Sequence, residues 1–251
     1  VSGVHVVRVL VLDSATPAVT AALAEVSTGG VALLAERRVV DARAHGELLS
    51  PEVEAVLREV GARPRDLAAI VAGLGPGPFT GLRVGLATAV SMGQALRIPT
   101  YGVCSLDAIG LAADAGDGDH PVLVATDARR REIYWAVYAA GGQRLAGPAV
   151  GRPADVLDTV ARLGVRRAVG EGAHRYADLL GLAVSAEPRY PPPEALAALA
   201  ADRVRGGAPG ERLTPLYLRR PDAVAPGAPR VLGQARARRE SPDRAATRRE
   251  R

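Results

Sequence analysis

A two-lobe α/β protein is what this sequence predicts, and three observations carry the reading. The stretch Ile70-Val71-Ala72-Gly73-Leu74-Gly75-Pro76-Gly77-Pro78-Phe79-Thr80-Gly81-Leu82 passes from a short apolar strand through a Gly-Pro turn into a helix. Val9-Leu10-Val11-Leu12-Asp13 is echoed by Leu123-Val124-Ala125-Thr126-Asp127, each an apolar strand closed by Asp, a polar turn and a return strand. The offset of 114 residues between Asp13 and Asp127 far exceeds a solenoid period, so it points to two related lobes. Strand-like and helix-like segments fill both halves, giving lobes at 1–104 and 105–221 and a tail at 222–251.

Each element follows from local pattern. Val6 to Leu12 is β-branched and apolar, a buried strand; Asp13-Ser14-Ala15-Thr16-Pro17 is a turn, and Ala18 to Val26 returns as a hairpin. Gly29-Gly30 turns into a third strand near Val31 to Glu36. Ser50-Pro51-Glu52-Val53 marks a helix start, with Gly46 to Leu49 able to belong to it, and Gly61 ends that helix. Asp66 to Gly73 forms the next strand, and the helix after the Gly-Pro turn runs from Leu82 to about Leu96, before Ile98-Pro99. Leu106 to Ala115 is a helix, and Gly116-Asp117-Gly118-Asp119 a polar loop. Strands follow at Val122 to Thr126 and Glu132 to Ala139, then a helix at Asp155 to Leu163 and a strand at Arg167 to Gly170. Tyr176 to Gly181 is a short helix, and Pro191-Pro192-Pro193 introduces an Ala-rich one from Glu194 to about Arg205. Leu213 to Arg219 is the last apolar segment; the Pro, Gly, Arg and Ala composition beyond Pro221 predicts disorder.

Charge and cysteine usage narrow the function classes. The net charge of +5 suggests a nucleic-acid ligand until it is located. Eight Arg against four acids between Asp222 and Arg251 place four of those five charges in the tail, leaving the body near neutral. Cys104 is the single cysteine, so there is no disulfide framework and a reducing, cytoplasmic setting is expected. The four His have no metal-ligand spacing. The apolar run Val4 to Leu12 is too short and too interrupted for a signal core or a membrane span.

The Gly-Pro turn offers the first candidate site. A strand entering a helix N-terminus through glycines can hold an anion, because free N–H groups and the helix dipole point the same way. Here Gly75, Gly77 and Gly81 are spaced G-x-G-x-x-x-G, no Lys follows, and Pro76 and Pro78 withdraw two donors. A structural turn whose glycines permit close backbone approach is the favoured alternative. Asp13 and Asp127 end strands, where ligands meet open α/β sheets, and from two lobes they could hold a metal-bound phosphate; local turn hydrogen bonds are the competing use. His45 reads as a solvated or interface residue and Cys104 as a buried small one, and no catalytic set emerges. Gly85, Ala89 and Gly93 recur every four residues, with Leu82 and Leu86 beside them; Leu49, Val53, Val56 and Val60 keep helical spacing on the preceding helix. Packing on the sheet covers part of these faces, and an added helical partner is the sharper reading.

Four motifs in order then carry a resemblance: Leu12-Asp13-Ser14-Ala15-Thr16; Gly75 to Gly85; Thr126-Asp127-Ala128-Arg129 with Glu132-Ile133-Tyr134; and Pro215-Leu216-Tyr217-Leu218-Arg219. Over residues 6 to 221 the chain resembles the TsaB (YeaZ) family, partner proteins in making N6-threonylcarbamoyladenosine at position 37 of transfer RNAs. The resemblance implies an actin-like ATPase (ribonuclease H-like) fold with a degenerate nucleotide site at Asp13, Ser14, Thr16, Gly75, Gly77, Thr80, Gly81 and Asp127. It implies no catalytic residue, no metal and no cofactor of the chain's own, with ATP and magnesium at the partner interface left open. The implied partners are the TsaD catalytic subunit and the TsaE ATPase, with transfer RNA reached indirectly, no membrane, and a homodimer competing for the same helices. The contact residues so implied are Leu49, Val53, Val56, Val60, Leu82, Gly85, Leu86, Ala89 and Gly93. Where the commoner family loop has Ser this chain has Pro78, which weakens nucleotide binding further. Two other functions stay open: an independent ATP-dependent kinase or acyltransferase using Asp13 and Asp127, and a nucleic-acid binder driven by the Arg tail.

Overall fold

The computed structural model describes residues 6–42, 44–113 and 120–219. Strands β1 (Val7–Asp13), β2 (Ala18–Ser27) and β3 (Gly30–Val40) form an antiparallel meander, with Asp13 opposite Thr20. Helix α1 (His45–Val60) leads to β4 (Ala69–Gly73), parallel to β1 with Leu10 opposite Ile70. Helix α2 (Phe79–Leu96) leads to β5 (Thr100–Val103), parallel to β4, and α3 (Ser105–Ala113) follows. The order of the first sheet is β3-β2-β1-β4-β5.

The second half repeats that plan. Strands β6 (Val122–Asp127), β7 (Ile133–Tyr138) and β8 (Arg144–Gly151) form the meander; α4 (Pro153–Arg162) leads to β9 (Arg167–Val169). Short helices α5 (Glu171–Arg175) and α6 (Ala177–Leu180) lead to β10 (Ala183–Val184), and α7 (Pro193–Arg205) closes the series. The sheet order β10-β9-β6-β7-β8 is the first sheet read in the other direction, strand for strand. The Asp-ended echo in the sequence is thus the visible part of a complete duplication.

Both sheets are covered on both faces, which explains their unbroken apolar strands. Leu10, Leu12 and Ile70 point to α1 and α2, whereas the alternate residues Val9, Val11 and Val71 point to the other side. That other side is covered by Ala195, Leu196, Ala197, Ala200 and Val204 of α7. Helix α3 instead packs Leu106 and Ile109 on Val122, Val124, Tyr134 and Tyr138 of the second sheet. The two halves therefore exchange their last helices, α3 and α7. This corrects the assignment of the C-terminal helix to a lobe at 105–221: its small Ala face lies flat on the first sheet. After α7 the chain stays with that sheet, since Glu211 N–H donates to Thr100 O at 2.8 Å and Tyr101 Oη to Ala208 O at 2.6 Å.

Four elements, β5, β8, α5 and β10, are missing from the sequence reading, the strands β5 and β10 being only four and two residues long. Strand β8 holds Gly147 and Pro148 and does not alternate; at the sheet edge a Pro is tolerated, and the register shifts against β7. Helix α5 is five residues long, too short for a period to show. Helix α1 begins at His45, so Ser50-Pro51 lies inside it rather than at its start. The polar loop at 116–119 and the tail at 222–251 fall outside the described residues.

Candidate functional site

The turn after β1 is tied to the Gly-Pro loop from several sides. Asp13 is fully buried; its Oδ2 accepts from Ser105 Oγ at 2.6 Å and its Oδ1 from Ala15 N–H at 3.1 Å. Burial pushes its carboxyl up to about 6, against the lowering effect of those two hydrogen bonds. Gly73 closes the space beside it, since a Cβ there would overlap Asp13 Oδ2. Ser105 Oγ also accepts from Gly75 N–H at 3.2 Å, and Ser105 N–H donates to Gly75 O at 2.8 Å. Gly75 has φ +92° and precedes a cis peptide to Pro76. At Gly77 a Cβ would overlap the Ala15 carbonyl, so the loop lies directly on the turn, backbone against backbone.

Ser14 is joined to the helix that follows. Its hydroxyl donates to Gly81 O at 2.8 Å and accepts from Gly85 N–H at 3.0 Å. Those are the carbonyl and amide at the two ends of one turn of α-helix, so Ser14 clasps the first turns of α2. A Cβ on Gly85 would overlap Ser14 Oγ, and this sets the residue type at 85. His45 is buried rather than solvated, correcting the sequence expectation, and its Nε2 lies 2.8 Å from Thr16 O. A carbonyl partner makes that nitrogen the protonated one. Ser14, Thr16, His45, Phe79, Thr80, Gly81 and Arg129 border a cleft of about 260 Å³, below the roughly 300–1,000 Å³ of ordinary ligand pockets. Asp13, Gly75, Gly77 and Asp127 do not line it.

The second half treats Asp127 differently. Its Oδ1 accepts from Arg129 N–H at 3.2 Å and from Tyr176 Oη at 3.1 Å, and Arg175 Nη1 approaches Oδ2 to 3.3 Å. Asp127 N–H donates to Glu171 Oε1 at 2.8 Å, and burial raises the Glu171 carboxyl above its usual range. Both aspartates therefore accept the amide two residues on, the turn use weighed against ligand binding from sequence. Ser105, Glu171, Arg175 and Tyr176 were not legible as their partners, because each comes from a distant element. Tyr134 Oη reaches Gly77 O at 3.4 Å, linking the halves across the loop. Cys104 is buried and its thiol is pushed up to about 11, mainly by burial, as befits a packing residue.

The candidate contact residues need correction. Leu49, Val53, Val56, Leu82, Gly85, Leu86, Ala89 and Gly93 are buried within this chain, and Val60 is half-buried against the same core. They are the inner faces of α1 and α2, held by the sheet; helical spacing alone does not tell an inner apolar stripe from an outer one. The outer side presents Ser50, Glu54, Ala87, Thr88, Ser91 and Met92 around a groove of about 500 Å³, with Val53 and Leu57 at its floor. Among the described residues no three His, Cys, Asp or Glu side chains gather as a metal site, and no helix is long and apolar enough to cross a membrane.

Two copies of one five-stranded α/β unit, each with an Asp ending its central strand, define a protein of the actin-like fold class. Residues 38–190 match the sequence family described as TsaD: tRNA N6-adenosine threonylcarbamoyltransferase. An uncharacterized protein of Mycobacterium tuberculosis is 50% identical over 222 residues, 88% of this chain and 96% of that one. The TsaB protein of Escherichia coli, a tRNA threonylcarbamoyladenosine biosynthesis protein, is 34% identical over 131 residues, 52% of this chain and 54% of that one. The solved structure of YeaZ from Pseudomonas aeruginosa superposes with a TM-score of 0.68 at 28% identity, over 84% of this chain and all of that one. The chain belongs to the TsaB (YeaZ) family.

Proposed function

We propose that this protein is a non-catalytic subunit in N6-threonylcarbamoyladenosine formation at position 37 of transfer RNAs, binding and activating a TsaD-type transferase together with a TsaE-type ATPase. The observation that carries the reading is the pairing of a sealed turn with an open groove. Both Asp13 oxygens accept protein hydrogen bonds and Gly77 rests on Ala15, so this chain's own loops do not fit a metal-bound nucleotide. Catalysis and cofactor binding then belong to the partner. The α1–α2 groove, with small Ala87 and Ser91 at its rim, lets a partner helix approach closely, and burying its apolar lining supplies affinity at roughly 25 cal/mol per Å². A second copy of the chain would compete for the same groove. The Escherichia coli relative, a tRNA threonylcarbamoyladenosine biosynthesis protein, supports the pathway. The cytoplasm, where transfer RNA is modified, is the setting that follows from this role.

A reconstitution tests it. The chain is mixed with its cognate TsaD, TsaE and TsaC-type proteins, ATP, threonine, bicarbonate and transfer RNA, and modified adenosine is scored. Ala87→Arg and Ser91→Arg, both on exposed positions, should leave the isolated chain's melting temperature within a few degrees of the original. Each should lower partner affinity by at least tenfold and modification with it, as expected when a cation is forced into an apolar contact. Modification that proceeds equally well without the chain, or with both variants, rejects the reading.

A further inference from the structure

We propose that the face built from Arg83, Phe79, Tyr217, Arg129 and Arg131 binds single-stranded RNA directly. Phe79, the one Phe in the chain, is 40% exposed at the start of α2, although burying it would have stabilised the fold. It stacks on Tyr217, also 40% exposed, with ring centroids 5.0 Å apart and planes 29° apart. The Arg83 guanidinium lies over the Phe79 ring at 4.6 Å from its centroid. An exposed ladder of two rings and a planar cation is a platform on which unpaired bases stack.

The phosphate side of the chemistry stands next to it. Arg129 borders the same small cleft as Phe79 and Thr80. Arg129, Arg130 and Arg131 are exposed and have φ of 62°, 53° and 62°, the left-handed region, which costs a non-glycine residue about 1–2 kcal/mol. Glycine would form this turn without that cost, so the arginine side chains are retained against local strain. Carboxylates beside the group already have cations: Asp127 pairs with Arg175 and Arg129, Glu132 pairs with Arg219, and the Glu171 carboxyl feels both Arg175 and Arg129. The platform is also held in place, since Leu216 N–H donates to Leu74 O at 2.8 Å and Arg219 Nη1 to Ala128 O at 2.9 Å. An acidic peptide would satisfy the arginines but leave the aromatic ladder without a role. A ligand with both bases and phosphates uses all five side chains. RNA binding by the isolated chain does not use the α1–α2 groove.

The test is a titration of the full chain with a short fluorescein-labelled oligoadenylate at several salt concentrations. Tyr217→Ser and Phe79→Leu should each weaken binding about tenfold, the loss expected for one stacked base. Arg129→Gly and Arg131→Gly relax the strained turn, so they keep the fold while removing charge. Each should lower the slope of log affinity against log salt by about 0.7, the value for one single-strand phosphate contact. Ala87→Arg in the groove should not weaken RNA binding. Failure to bind the oligonucleotide overturns the proposal, as does binding that these face variants leave unchanged, which would place RNA on the tail. Equal competition by ATP, mole for mole of sites, overturns a polynucleotide ligand in favour of a mononucleotide. Loss of TsaD binding by the face variants with RNA binding intact overturns it in favour of a protein contact.

Discussion

The turns after β1 and β6 occupy the same place in two copies of one topology, yet they are finished in different ways. Asp13 is sealed: it has a hydroxyl from Ser105, an amide from Ala15, and Gly73 pressed against it. Asp127 also has side-chain cover, but its partners Arg129 and Arg175 are half-exposed and reach it from the surface. In both halves a glycine that follows the parallel strand lies directly against the backbone at the Asp-bearing end of the central strand. Gly77 meets Ala15 in the first, and Gly172 meets the Thr126 backbone in the second. The duplication thus kept the close approach of backbones and diverged in the charges around it. The first half became a rigid seat for α2, the second a cationic surface.

The largest expected effect comes from the shared close approach. Gly77→Ala should destabilise the chain by about 3 kcal/mol or more, because the obstructing atoms are backbone and cannot rotate away. Gly172→Ala, whose Cβ would lie 2.6 Å from Thr126 C, should cost a similar amount. Urea unfolding of both variants checks this, and a tolerated Gly77→Ala would break the picture of a sealed turn.

A smaller effect tests the seal through pH. Asp13 titrates near 3.8 when unfolded and at about 6 when folded. Between those values the folded chain holds more protons, so stability falls as pH rises from about 4 to 6 and then levels. The drop from this group is about 2–3 kcal/mol at about 1.4 kcal/mol per unit. Urea midpoints at a series of pH values should show that fall in the original chain and its loss in Asp13→Asn. An identical slope in both would mean that water reaches the carboxylate.

The smallest effect concerns the clasp of Ser14 on α2. Ser14→Ala removes two hydrogen bonds to Gly81 O and Gly85 N–H, groups at the spacing that a helix turn itself joins, so it should cost only about 1 kcal/mol. Gly85→Ala alone should cost about 2 kcal/mol through overlap with Ser14 Oγ, and less in the Ser14→Ala background. Thermal melts of the double-mutant cycle would show this as a favourable coupling; strict additivity would dissociate Gly85 from Ser14.

Much of the fold was legible because it is written in local patterns. The apolar run Val9 to Leu12, the Gly-Pro turn and the Asp-ended echo 114 residues on fix a duplicated α/β plan through strand period, turn chemistry and self-similarity. The same residues exposed Asp13, Ser14 and Gly77 as the points where the chain comes together. What they did not reveal depends on contacts between distant segments. Nothing near Leu106 or Ala195 says that α3 and α7 exchange sheets, since an apolar helix face fits either sheet equally well. Periodicity marked Val53, Leu86 and Ala89 as apolar stripes, and only packing decided that the stripes face inward while Ala87 and Ser91 face out. Phe79, Tyr217 and Arg129 lie far apart in sequence and meet because Leu216 and Arg219 anchor the last segment across the Gly-Pro loop. The sequence by itself determined which elements form and where backbones must touch, because sterics and period act over a few residues. Tertiary structure decided which faces and side chains meet solvent, because that depends on what the rest of the chain covers.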